Sequence, residues 1–64
     1  MYTLGTVLDL VEVDCDIYCE LYRKDRKICE GWLTDLGVDT ASLIEAYRVE
    51  HDDEGDEYLV LYLA

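Results

Sequence analysis

From Val13 to Tyr22 apolar and polar residues alternate without a break. Val13, Cys15, Ile17, Cys19 and Leu21 fall on one side; Asp14, Asp16, Tyr18, Glu20 and Tyr22 fall on the other. A period of two is the mark of a half-buried strand. Such a strand cannot stand alone, so the rest of the chain must supply partners for its edges and a cover for its apolar side.

The preceding residues have a different period. Leu4, Val7, Leu8 and Val11 recur at i, i+3, i+4 and i+7, which predicts a short helix over 4–11 with Thr3 as its N-cap. A strand reading of the same stretch puts Asp9 among the apolar positions. After the first strand, Arg23-Lys24-Asp25-Arg26 reads as a hairpin turn and 27–33 as a second strand, ended by Thr34-Asp35-Leu36-Gly37. Asp39 is placed to cap a second helix running to about Tyr47, with Val38 and Leu43 as a hydrophobic staple. Residues 49–51 read as a strand, 52–57 as an acidic turn, and 58–63 as a last strand in which Leu59, Leu61 and Leu63 alternate with Tyr58, Val60 and Tyr62. The expected class is α+β in the order αββαββ, a single domain of 64 residues with a four-stranded, mainly antiparallel sheet and both helices packed on one face.

The register of the first hairpin has two solutions. Pairing Tyr22 with Lys27 sends Ile28, Glu30 and Trp32 to the core side. Pairing Arg23 with Lys27 sends Cys29 and Leu33 inside and Trp32 to the open face. Burying Glu30 is costly, which favours the second.

Charge bounds the function. Sixteen Asp and Glu stand against five Lys and Arg, a net charge of −11, so the field repels nucleic acid and draws in cationic surfaces. Four of the five basic residues lie at 23–27, leaving the rest of the surface negative. With 52% hydrophobic residues the chain still has the means to form a core. The expected setting is cytoplasmic: no apolar run approaches the ~20 residues of a membrane span, the start lacks a basic leader region, and three cysteines make a poor disulfide framework.

The residues expected to bind a partner are Asp16, Tyr18, Glu20, Tyr22, Trp32, Asp52, Asp53, Asp56, Tyr58 and Tyr62. The aromatic members share the side opposite the aliphatic core, and stiff rings with polar tips suit protein interfaces. RNA-binding sheets set their aromatics among basic residues, whereas here the neighbours are carboxylates. The expected partner is therefore a basic protein surface, with no direct nucleic-acid or membrane contact; a homodimer through the tyrosine face is the alternative.

Other chemistries have little support. Cys15, Cys19, Cys29 and His51 suggest a zinc site only superficially, since Cys15 and Cys19 would lie ~13 Å apart along a strand. Thiols filling the core are the simpler reading. Residues 52–57 lack the spacing of a calcium loop. His51 and Ser42 are the only residues of their kinds, and no glycine-rich phosphate loop exists. No catalytic, metal or cofactor residue is expected, and the protein is read as a non-enzyme, with a small metal-binding protein as the remaining alternative.

The run Ile17-Tyr18-Cys19-Glu20-Leu21-Tyr22, a charged turn, then Ile28-Cys29-Glu30-Gly31-Trp32-Leu33, resembles small acidic proteins of phages and mobile elements of Gram-positive bacteria. In these a leading helix precedes a hairpin ending in a Glu-Gly-aromatic step, and a second helix and an acidic-turned hairpin follow. The resemblance implies no activity. It implies an accessory role, such as blocking a host nuclease by acidic mimicry of nucleic acid.

Overall fold

The computed structural model describes residues 1–13 and 15–64. Its elements are β1 (Tyr2–Thr3), α1 (Leu4–Val11), β2 (Tyr18–Arg23), β3 (Arg26–Trp32), α2 (Leu33–Leu36), β4 (Leu43–His51) and β5 (Glu57–Leu63). The class is α+β, and the strands form one five-stranded mixed sheet in the order β1-β4-β5-β2-β3. Two antiparallel hairpins, β2–β3 and β4–β5, are joined along a parallel β2–β5 seam. The expected four-stranded sheet is corrected in two details: β1 adds a two-residue fifth strand on β4, and the β2–β5 pairing is parallel while the other three are antiparallel as expected.

Helix α1 occupies 4–11, as the periodicity predicts. Thr3 Oγ1 accepts from the Thr6 N–H at 3.2 Å, and the N–H groups of Leu4 and Gly5 donate to the Ser42 and Thr40 carbonyls. The helix therefore starts with its unpaired donors satisfied. It ends at Glu12, which takes a left-handed conformation (φ 61°) and closes the last turn with its N–H.

The second helix is displaced from its expected place. Residues 43–51 form a strand, and the helix is instead the single turn 33–36. Asp39 caps a tight turn: its Oδ1 accepts from the Ala41 N–H at 2.8 Å and its carbonyl from the Ser42 N–H. A bulge explains the misreading. Ile44 pairs with Leu63 and Ala46 with Tyr62, so Glu45 is an extra residue. It places Ile44 and Tyr47 on one side of the strand, an i, i+3 spacing that a helix shares, and Val49 then continues that side with the period of a strand.

A second bulge resolves the first hairpin. Lys24 and Asp25 both have positive φ (50° and 65°), the requirement of a two-residue type I′ turn. Arg23 therefore pairs with Arg26 and Tyr22 with Lys27, not Arg23 with Lys27. Ile28 is then bulged, Leu21 pairs with Cys29, and Tyr18 with Trp32. The turn belongs to one expected register and the faces from Cys29 onward to the other.

Both helices cover the same side. Leu4 and Val7 of α1 pack with Ile17, Cys19, Leu21, Ile44, Leu59 and Leu61, and Leu33 and Leu36 of α2 lie against this cluster. Leu36 approaches Gly31 closely: a Cβ there would sit 3.3 Å from Leu36 Cδ2, and the glycine φ of 154° disfavours any side chain. Of the three thiols only Cys19 is buried; Cys15 and Cys29 are exposed, which corrects the expectation that all fill the core. Cys29 does face the helix side, but on an edge strand that α2 reaches at Gly31, and it stays exposed. Burial pushes the Cys19 thiol up to about 11. The first strand, expected from Val13, begins at Tyr18; Asp14 lies outside the described residues.

Candidate functional site

The side of the sheet away from the helices is built in three rows, set by strand register. The first runs Glu50–Tyr58–Tyr18–Trp32, the second Arg48–Val60–Glu20–Glu30, and the third Ala46–Tyr62–Tyr22–Lys27. Aromatic rows thus flank a charged one. The expected face set Tyr18, Glu20, Tyr22, Trp32, Tyr58 and Tyr62 is brought together here.

The rings are in contact. Tyr18 meets Trp32 edge to face, with centroids 5.7 Å apart and planes at 87°. Tyr22 and Tyr62 stack at 5.4 Å. These are favourable quadrupole geometries. The cations of the face sit beside the rings: Lys27 Nζ lies 6.0 Å from the Tyr22 centroid and Arg48 5.9 Å from that of Tyr62.

The polar tips are tied to one another. Tyr18 donates its hydroxyl to Glu30 at 2.9 Å, and Tyr22 to Glu20 at 3.1 Å. Lys27 bridges Glu20 and Glu30 at 3.6 and 3.5 Å, and Arg48 donates to the Tyr62 hydroxyl and pairs with Glu50. The Tyr18 hydrogen bond, helped by Lys27, holds the Glu30 carboxyl below its ordinary range; the same bond raises the Tyr18 phenol. For Tyr22, burial and then its bond to Glu20 raise the phenol. Val60, at the centre, is only 3% exposed although the helices lie on the other side. Long neighbours leaning over it must supply the cover.

Asp16 and Asp52 hold loops. The Asp16 carboxylate accepts from the Ile17 N–H and from both the N–H and hydroxyl of Thr34, so it caps α2 from a distant loop. Burial works to raise this carboxyl, but the Thr34 and Ile17 bonds outweigh it and its pKa is lowered. Asp52 Oδ1 accepts from the Glu54 and Asp56 N–H groups and shapes the 52–56 turn. These carboxylates bond only neutral donors, so their charge is fixed in place without being cancelled. Asp53 and Asp56 point no carboxylate at a described partner.

The first row ends in a concavity of about 810 Å³, which sequence reasoning missed. Tyr18, Trp32 and Tyr58 contribute to its wall, and the 52–57 turn and the segment after α1 enclose it. Only the parallel seam brings residues 16–18 beside 56–58, and no local pattern announces such a pairing.

Ser42 and His51 are separated by the whole length of β4, roughly 30 Å. Among the described residues no three of His, Cys, Asp and Glu come together to hold a metal ion, and no helix is long and apolar enough to cross a membrane. Comparison of the chain with protein-family models, with curated proteins and with solved structures finds no match.

Proposed function

We propose that the protein is a non-enzymatic binding module that docks on a basic protein surface through its uncovered sheet face and the acidic end next to it. One observation carries this reading: the charges are segregated along the strands. Arg23, Lys24, Arg26 and Lys27 cluster at the β2–β3 turn, while the carboxylates of the 52–57 turn lie at the opposite end of the same strands, beside the exposed Trp32 and the half-buried Tyr18 and Tyr58. Complementary fields of this kind steer encounter and fix orientation. The linked tyrosine tips add a face that is ordered before a partner arrives, which lowers the entropic cost of docking. The partner class we propose is a cationic surface that ordinarily holds nucleic-acid phosphates, as an intracellular phage or mobile-element inhibitor would require.

The test is binding to a panel of cationic nucleic-acid-binding proteins at two ionic strengths, with duplex DNA as competitor. The expected result is binding that weakens with salt, competes with DNA, and falls when Asp53, Glu54 and Asp56 are together changed to lysine. Absence of salt-dependent binding across the panel overturns the reading. A protein that is a stable dimer by sedimentation, with its tyrosine face buried, overturns it as well.

A further inference from the structure

The concavity at the end of the first aromatic row has a lining of one sign. Its charged residues among those described are Glu12, Asp16, Glu20, Asp52, Asp56 and Glu57, and no lysine or arginine joins them. Counter-charges do reach some of these. Lys27 pairs with Glu20, and His51 lies 3.5 Å from Glu57, but Asp16 and Asp52 bond only neutral donors. The carboxylates of Glu12 and Asp56 accept no hydrogen bond from a described side chain or N–H. A water-exposed recess with this charge attracts a cation and excludes an anion.

The aromatic wall narrows the choice of cation. Tyr18 and Trp32 stand at 87° to one another and form a corner, and Tyr58 is the cross-strand neighbour of Tyr18. Trp32 is 52% exposed, an unusual degree for the largest apolar side chain in the protein. A planar guanidinium stacks on such rings and presents paired N–H groups to carboxylates, whereas an ammonium is more strongly hydrated and offers a point charge. The recess exceeds the size of one side chain, so flanking residues of a peptide fit with it.

We infer that this recess is the seat of an arginine side chain carried by an extended segment of the basic partner, with its guanidinium against Tyr18, Trp32 and Tyr58 and its N–H groups on Asp56 and Glu12. This rests on the docking reading above and names the residue class that the partner presents.

The experiment uses the full chain, isotopically labelled, titrated with acetyl-Gly-Arg-Gly-Arg-Gly-amide and separately with the lysine counterpart. Amide and Trp32 indole shifts are followed. Expected are saturable shifts concentrated at Tyr18, Trp32, Asp56 and Tyr58, with arginine preferred over lysine by about fivefold or more. Trp32→Ala and, independently, Asp56→Asn should each weaken the arginine peptide by about tenfold. Both positions are exposed, and far-ultraviolet circular dichroism verifies that each variant folds. Equal binding of the two peptides, or shifts spread over the acidic surface and unchanged in both variants, overturns the inference. So do concentration-dependent shifts without peptide that couple the recess to Arg23 and Arg26, because a second copy then fills it. Binding to the cationic panel that survives Trp32→Ala and Asp56→Asn sinks this inference alone. Loss of all salt-dependent binding in the wild type sinks the docking reading beneath it.

Discussion

The two sides of the sheet solve the same problem by different means. On the helix side the rows read Val49–Leu59–Cys19–Gly31 and Tyr47–Leu61–Leu21–Cys29, and their middle members are fully or nearly fully buried under α1 and α2. On the other side Val60 is almost as buried, yet the side chains that share its face are linked phenols, carboxylates, Lys27 and Arg48. The first side gains from apolar area removed from water. The second gains from ring contacts and from polar tips that satisfy one another. A small domain can therefore leave one side of its sheet without a second layer and still keep the middle of that side dry. The cost is a surface whose carboxylates Glu20 and Glu30 are largely committed to Lys27, so free negative charge is concentrated at the 52–57 end.

Substitutions on neighbouring residues of β5 separate the two solutions. Leu61→Ala opens a cavity beneath the helices and should cost about 2–5 kcal/mol. A domain of this size has a total stability of about 3–10 kcal/mol, so thermal or urea unfolding should show a large shift. Gly31→Ala acts on the same side by forcing a side chain toward Leu36 at an unfavourable φ, and should cost about 1–3 kcal/mol by urea unfolding. Val60→Ala probes the other side and should cost about 1.5 kcal/mol by the same measurement. If it costs nothing, the side-chain roof does not exclude water and the comparison fails. Glu12→Gly leaves both sides intact and relieves the left-handed residue at the end of α1. It should raise stability by about 0.5–1 kcal/mol in thermal unfolding.

The smallest effect is the pH dependence. Asp16 and Glu30 both have lowered pKa values in the folded state. Their contribution is present above the unfolded carboxyl range, near 4, and is lost as pH falls through the folded values. Wild-type stability should thus decline in acid. Asp16→Asn together with Glu30→Gln should flatten that decline in denaturant titrations between pH 5 and 2. An unchanged acid limb would show that these bonds do not distinguish the folded from the unfolded chain.

The sequence was most readable where period and structure agree. Leu4, Val7, Leu8 and Val11 gave α1 to the residue, and the alternation of Cys19 and Leu21 with Tyr18, Glu20 and Tyr22 gave both faces of β2. Reading failed where one inserted residue reversed the parity of a strand. Asp39 and the Val38–Leu43 pair imitated a helix start while Glu45 broke the alternation of β4, and Ile28 let the first hairpin take its turn from one register and its faces from the other. The aromatic face survived this second error because Trp32 reaches it through the bulge. The recess was illegible for another reason. Its walls come from segments about forty residues apart that meet only along the parallel seam, and periodicity carries no information about which strands become neighbours.

The order of the strands also governs when the molecule can form. β5, the last of the five strands in sequence order, is the middle of the sheet and, among the described residues, the strand that links β4 to β2. During synthesis the first hairpin and the strand destined to be β4 emerge without the ladder that joins them. Consolidation must wait for β5 to insert between two waiting edges, a step of long loop closure that slows folding and exposes those edges meanwhile. Removing Tyr58 to Leu63 would leave the β2–β3 hairpin and the short β1–β4 pair with no strand to join them.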